Sequence, residues 1–254
     1  MTNTIDIITP TMWYNDSYID YLKQYCDYSA VKSIILIDNQ KSRRPQDPIL
    51  NHPKIKIVCY NKNIYVNPAL NEGYYRSDAD VLCILNDDVF VEKEIFNWVQ
   101  ELDMTEIDVI GSRLKGSEDN YSIAIQPGQE DELIKLDVLK NLPIGSQSYA
   151  FGACMFMKRS SYNVIPSLYQ VWFGDEYLIQ NCKNVYVFKT NKITGALSKT
   201  LQQVSKKGPI QKRLELDAHN AANYHHLKGA KHWDIIKHTL QPKRNIFGYW
   251  YGTF

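Results

Sequence analysis

The 254-residue chain has no run approaching the roughly eighteen consecutive apolar residues that a membrane-spanning helix requires. It opens MTNTIDIITPTMW, with no basic stretch ahead of an apolar one. A secretory leader is therefore not expected, and a cytoplasmic location is. Cysteine is scarce and oddly counted: Cys26, Cys59, Cys83, Cys154 and Cys182, none at CxxC spacing. That argues against a disulfide framework and a zinc knuckle. Cys59 and Cys83 sit in apolar runs and are expected to be small core hydrophobes of a reducing compartment. There is no internal repeat and no low-complexity tract. With 44% apolar and 22% charged residues, the chain lies outside the range that stays disordered.

Net charge is also nearly absent, at +1, but the sum hides two halves of opposite sign. Residues 183–254 hold 13 Lys or Arg against 3 Asp or Glu, and five of the six histidines. The acidic excess lies in residues 1–182. Such asymmetry fits a tail that meets something anionic, or a solvated face that balances an acidic body.

What is present is an alternation of strand and helix signals. Apolar or β-branched runs at Thr4–Ile8, Ser33–Ile37, Ile55–Val58, Asp80–Leu85 and Asp108–Ile110 read as strands. The run SIILI and the run DVLCIL are continuous, as for strands buried on both faces. Helical spacing marks Ser17–Tyr28, Pro68–Arg76 and Glu92–Leu102. The order predicts an α/β layer fold with a mostly parallel sheet. Residues 111–147 are less periodic, mixing short polar strands with Gly and Pro turns. From Lys206 onward the pattern is helical and basic.

Two acidic motifs carry chemistry. The strand Val81–Leu85 ends abruptly in Asn86, Asp87 and Asp88. In open α/β sheets ligands sit beyond the carboxyl ends of strands. Two carboxylates there suit a hard divalent cation whose shell is completed by phosphates. An Asx-rich turn capping the next helix explains the same residues locally. The second motif is Trp172-Phe-Gly-Asp-Glu-Tyr177, with Asp175 and Glu176 opening an apolar helix. A first-turn acid is favourable without catalysis. The functional reading is a general base beside an aromatic acceptor platform of Trp172 and Phe173. Asp38-Asn39, straight after SIILI, reads as a nucleoside contact or a plain β-turn.

Taken in order, these pieces resemble the GT-A glycosyltransferases, in particular family 2-like inverting enzymes. The resemblance rests on Ile7-Ile-Thr-Pro-Thr11, Ile34-Ile-Leu-Ile-Asp-Asn39, Asn67-Pro-Ala-Leu-Asn-Glu-Gly73, Asp80 leading into Leu85-Asn-Asp-Asp88, Phe151-Gly-Ala-Cys-Met155, Phe173-Gly-Asp-Glu-Tyr-Leu178 and Ile193-Thr-Gly-Ala-Leu-Ser-Lys-Thr200. It is similar in flavour to small enzymes of tailed bacteriophages. It covers roughly residues 4–205, which sets a catalytic domain at 1–205 and a basic, aromatic-rich helical extension at 206–254 packed on it.

The resemblance implies a UDP-sugar donor and a Mn²⁺ or Mg²⁺ cofactor. Thr9 and Thr11 would line the nucleotide pocket, and Asp38 would contact the uracil or ribose. Asn67, Asn71 and Arg76 would border the nucleotide from their helix. Asn86, Asp87 and Asp88 match the metal-binding acidic motif, with Asp88 as the main metal ligand and Asp87 beside it. Glu176 would be the base and Asp175 would orient the acceptor, though the two roles are exchangeable. Asn86 stands where relatives often have an acid, and Gly195 where they often carry a metal-binding His. His219, or Lys199 as a fixed cation, would have to substitute.

The fold does not choose the acceptor. The basic stretch KTLQQVSKKGPIQKR (Lys199–Arg213), with Lys206, Lys207 and Lys212, suits a diphosphate or a nucleic-acid backbone. Aromatic residues interleave with the basic segment, among them Tyr224, Trp233, Phe247, Trp250 and Phe254. These would stack on bases, pack a helix onto the core, or meet a membrane surface. The phage-like flavour points to double-stranded DNA with hydroxymethylated pyrimidines, the base flipped to reach Glu176. A surface glycan or lipid-linked sugar is the alternative acceptor. A non-catalytic nucleotide-sugar or DNA-binding module is the alternative class.

Overall fold

The structure is a computed structural model that describes residues 2–112, 128–137, 151–195, 212–214, 216, 217 and 220. Lys199, Lys206, Lys207, the domain boundary near 205, His219 and the aromatic residues from Tyr224 to Phe254 lie outside the described residues. So does most of the stretch 111–147.

The element order is β1 (Ile5–Thr11), α1 (Tyr18–Asp27), β2 (Val31–Asp38), β3 (Ile55–Cys59), α2 (Val66–Arg76), β4 (Val81–Leu85), β5 (Val89–Val91), α3 (Lys93–Glu101), β6 (Val109–Gly111), β7 (Glu132–Leu136), β8 (Cys154–Lys158), α4 (Gly174–Gln180), β9 (Val185–Lys189) and β10 (Ile193–Gly195). Every strand and helix expected before residue 112 forms, with ends shifted by at most three residues. Eight strands make one sheet in the order β3-β2-β1-β4-β8-β6-β9-β7. The first half, β3 to β4, is parallel as expected. Beyond β4 the sheet is mixed: β8 is antiparallel to β4 and β6, β9 is parallel to β6, and β7 is antiparallel to β9. A separate ribbon pairs β5 with β10.

The continuous apolar runs have a physical reason. Ile34 and Leu36 pack into one core with Val81, Cys83 and Leu85, alongside Tyr18, Leu22 and Tyr25 of α1 and Ile95, Phe96 and Val99 of α3. Their neighbours Ile35, Ile37, Leu82 and Ile84 pack into a second core with Ala69 and Leu70 of α2 and Leu178 and Ile179 of α4. The sheet is therefore covered on both faces, and each strand must be apolar at successive positions. Burying each such side chain stabilises the fold by about 1.5–3 kcal/mol. Gly73 lets α2 lie directly on β1, since a Cβ there would fall 2.2 Å from Ile8 Cγ2.

One cysteine departs from expectation. Cys59 is exposed, not core. It is the last residue of β3, where the sheet ends and its cover stops. Cys26, Cys83, Cys154 and Cys182 are buried as thiols. No helix among the described residues is long and apolar enough to cross a membrane.

Candidate active site

The parallel strands β1, β2 and β4 all end at one edge, and Thr11 pairs in register with Asp38 there. The chain leaving β4 turns through Asn86, Asp87 and Asp88. Thr11 Oγ1 donates to Asp87 Oδ2 at 2.6 Å and accepts the Trp13 amide at 3.0 Å. Asn15 Nδ2 donates to the Asp87 carbonyl at 2.6 Å. Asp88 is 6% exposed. Burial holds the Tyr18 phenol well above its ordinary pKa; Thr9 opposes this and the charge of Asp87 adds to it. Tyr18 is thus a neutral neighbour beneath the acidic turn.

The second acidic motif is brought to the same place by the segment that leads into β8. The Asn86 amide donates to the Ala153 carbonyl at 2.9 Å. Two residues earlier, the Phe151 amide donates to Asp175 Oδ2 at 3.2 Å. One short peptide therefore touches both acidic motifs. Glu176 follows in the first turn of α4 and is 5% exposed. The ribbon closes the remaining side: Gly195 pairs with Val89, the residue after Asp88. Gly195 therefore lies across the ribbon from the residue that follows Asp88, and a glycine brings no side-chain ligand there.

Several expected contacts are placed differently. Thr9 is fully buried and Thr11 is 2% exposed, with the Thr11 hydroxyl engaged by Asp87 and the Trp13 amide. Thr11 instead fixes the Asp87 rotamer. Asp38 is fully buried and holds the Gln40 amide and the Arg44 guanidinium, the latter at 2.7 Å. The partly exposed Arg44, also bonded to the Cys59 thiol, is the group facing outward there. Asn67 donates its amide to the Gln170 carbonyl and its Nδ2 to the Trp172 carbonyl. Asn71 is spent on Ile165, through its amide and its carbonyl, and on the Tyr162 hydroxyl. Arg76 pairs with Glu72 and precedes Ser77, whose hydroxyl bonds Asp6 near the start of β1, the end opposite Thr11. A helix returning from β3 to β4 carries its last residues away from the strand ends, so Arg76 does not border the site. Phe173 is 4% exposed, its ring packed against Tyr169 and edge-on to Trp172. It belongs to the core, and only the half-buried Trp172 remains as a platform. Lys212 is described and exposed.

Sequence reasoning passed over Arg44, Asn15 and Asp217. The run Lys41-Ser-Arg-Arg44 is visible as basic, but nothing local ties it to Asp38. It also gave no sign of three aromatic residues with left-handed backbone: Trp13 after β1, Tyr65 before α2 and Phe173 before α4, at φ 59°, 68° and 64°. Such conformations cost a non-glycine residue about 1–3 kcal/mol and gather at functional sites.

Among the described residues no group of three His, Cys, Asp or Glu could hold a metal. The donor set is hard oxygen from at most two adjacent carboxylates. That fits a Mg²⁺ or Mn²⁺ ion only when substrate phosphates and water complete its shell.

Neither a family model nor a curated protein sequence matches the chain. Solved structures do match its fold. Staphylococcus aureus TarS (residues 1–349) aligns at TM-score 0.53 and 12% identity, over 89% of this chain and 72% of that one. TarS in complex with UDP-GlcNAc aligns at 0.55 and 12%, over 92% and 70%. The mannosyltransferase PcManGT of Pyrobaculum calidifontis, in complex with GDP-Man and Mn²⁺, aligns at 0.51 and 11%, over 90% of this chain and 64% of its own. The fold is that of the GT-A glycosyltransferases.

Two substitutions check this construction. Gly174 lies against Asn67, where an added Cβ would fall 2.1 Å from Oδ1. Gly174→Ala must push Asn67 off the Trp172 carbonyl, and is expected to lower stability by about 1–3 kcal/mol in denaturant titrations. Thr11→Val keeps shape and removes the hydrogen bond to Asp87. Leaving the half-buried Asp87 carboxylate without that donor is expected to lower stability by about 0.5–1.5 kcal/mol in denaturant titrations.

Proposed function

We propose that the protein is a nucleotide-sugar-dependent, inverting glycosyltransferase. The observation that carries this reading is the convergence of the two acidic motifs through the 151–153 segment. One three-residue peptide links a carboxylate pair that would suit a diphosphate and its cation to the helix turn whose carboxylate would suit a hydroxyl. The fold likeness to TarS with UDP-GlcNAc and to a mannosyltransferase with GDP-Man and Mn²⁺ supports the same donor class.

In this reading Asp88, with Asp87 beside it, would hold a Mn²⁺ or Mg²⁺ ion, which supplies neutralisation of the charge that develops on the leaving diphosphate. Thr11 and Asn15 keep the acidic turn in one geometry, so little reorganisation is needed as that charge grows. Arg44 faces the nucleotide at the end of β2. Trp172 gives the acceptor an apolar wall. Glu176 takes the proton from the acceptor hydroxyl. The oxygen's electron pair forms the new bond to the anomeric carbon. The bond from that carbon to the diphosphate breaks, and its electrons leave with the nucleoside diphosphate. Attack from the opposite face inverts the configuration. Asp175, fixed by the Phe151 amide, orients the acceptor.

The proposed acceptor is a hydroxymethylated pyrimidine in double-stranded DNA, drawn in by the basic segment; a glycan or lipid-linked sugar hydroxyl is the competing one. The test is a donor and acceptor panel with Mn²⁺: UDP-glucose, UDP-GlcNAc and GDP-mannose against hydroxymethylated DNA, unmodified DNA and simple glycosides. Release of UDP or GDP is the expected result. Sugar appearing on hydroxymethylated DNA supports the DNA acceptor, and transfer to glycosides alone rejects it. No release from any donor, with no UDP or GDP binding in calorimetry, would leave the enzyme reading without support.

A further inference from the structure

The basic C-terminal segment contains a buried acid in contact with the loop that delivers the proposed base. Asp217 is fully buried, within helical residues at 212–214, 216, 217 and 220. Its carboxylate accepts three successive backbone amides. Val171 donates to Oδ2 at 2.7 Å, Trp172 to Oδ2 at 3.0 Å, and Gln170 to both oxygens at 3.1 Å. From the other side Asn67 satisfies the Gln170 and Trp172 carbonyls. The backbone of 170–172 is thus held by a helix that follows it and a helix that precedes it.

What this holds is the turn into α4. Phe173 caps that helix with left-handed backbone, φ 64°, and Asp175 and Glu176 are its second and third residues. A bulky residue does not adopt that backbone unless its surroundings impose it. The same C-terminal segment also reaches another of the left-handed aromatic residues: the Arg213 guanidinium lies over the Tyr65 ring, 5.3 Å from its centroid, where Tyr65 caps α2. Asn220 Nδ2 adds a bond to the Leu168 carbonyl at 2.7 Å.

A buried carboxylate is expensive unless it is fully hydrogen-bonded. Burial pushes the Asp217 carboxyl above its usual range, and the three amides and Arg213 pull it back. A bond from an amide to a charged acceptor is roughly twice as strong as a neutral one. Three of them on consecutive residues leave the peptide little freedom.

We infer that Asp217 is a positioning residue: by clamping the 170–172 amides it fixes the turn at Phe173 and so the placement of Asp175 and Glu176. The inference rests on the glycosyl-transfer reading for its catalytic consequence, but not for the clamp itself. It gives the C-terminal segment a task inside the active site, separate from any attraction of its lysines for an anion. Asp217 touches neither substrate nor reacting atoms, so its effect belongs to rate and not to donor affinity.

The experiment uses the full chain with Asp217→Asn and Asp217→Ala. Amide hydrogen exchange at 170–172 is read in each, with circular dichroism to confirm folding. Donor hydrolysis is measured with whichever of UDP-glucose, UDP-GlcNAc or GDP-mannose the wild type turns over. The expected result is graded. Exchange at 170–172 quickens from wild type to Asn to Ala. The alanine variant loses at least about tenfold in kcat, the asparagine variant less, because its amide oxygen still accepts. Donor KM stays within about twofold. Unchanged exchange in the alanine variant would overturn the clamp. Faster exchange with unchanged kcat, or kcat and donor affinity falling together by one factor, would overturn the positioning role. A wild type that turns over no donor defeats the transferase reading and with it the catalytic role, while the exchange result still decides the clamp.

Discussion

Glu176→Gln is expected to abolish transfer while leaving the donor bound. The substitution keeps the shape of a side chain that is 5% exposed and removes its ability to take a proton. General-base catalysis by a positioned carboxylate contributes about 10²–10⁴-fold, and kcat should fall by that factor. Donor affinity, measured by UDP or GDP titration, should hold, because the acidic turn at Asp87 and Asp88 is untouched. The comparison that matters is Asp175→Asn. Asp175 is fixed by the Phe151 amide, so its loss should cost less than the loss of Glu176 and should raise acceptor KM. If Asp175→Asn is the more damaging of the two in kcat, the roles are exchanged. A fully active Glu176→Gln enzyme would remove Glu176 from the chemistry.

Asp88→Asn is the second substitution with a large effect. Asp88 is buried at the end of β4, between the Asn86 turn and the β5–β10 ribbon. Gly195, which pairs across that ribbon with the next residue, Val89, brings no side chain to stand in for the carboxylate. Removing the main carboxylate that would hold the cation weakens neutralisation of the leaving diphosphate, and kcat should fall about 10²–10³-fold. The half-activating Mn²⁺ concentration should rise at the same time. A divalent-cation titration at fixed donor separates the two effects. Saturating Mn²⁺ should restore part of the rate if the ion is still held by Asp87 and the diphosphate. An unchanged rate and an unchanged cation response would take Asp88 out of the donor site.

The parts of the fold legible in the sequence are those where burial is two-sided. SIILI and DVLCIL read as covered strands because each alternate residue feeds a different core, and the structure shows both cores. The two acidic motifs were legible because an apolar run that stops at Asn86-Asp87-Asp88, or a helix that starts at Asp175-Glu176, leaves a local mark. What failed were statements about which group faces which. Arg76 lies on the expected helix, but periodicity gives a face and not an end. Thr11 lies on the expected strand, but its hydroxyl is spent on Asp87. Cys59 ends an apolar run that stops being covered at its last residue. Asp38 is where a nucleoside contact was expected, yet Arg44 claims its carboxylate. Asp217 carries no local signal at all: one of three acids in a basic segment looks like a charge count, and its meaning lies 47 residues upstream at Gln170.

The β5–β10 ribbon has a consequence for how the protein comes into being. Asp87 is tied to Thr11 across 76 positions of chain. Val89, just beyond Asp88, waits for a partner strand at Ile193–Gly195 that is made far later. Contacts so distant in sequence form slowly, because loop closure must precede their reward. On a ribosome the early parallel strands can pair while the catalytic edge is still open. Asp87 can gain its Thr11 and Asn15 partners early, whereas the ribbon that follows Asp88 is completed only when Ile193–Gly195 arrives to pair with Val89–Val91.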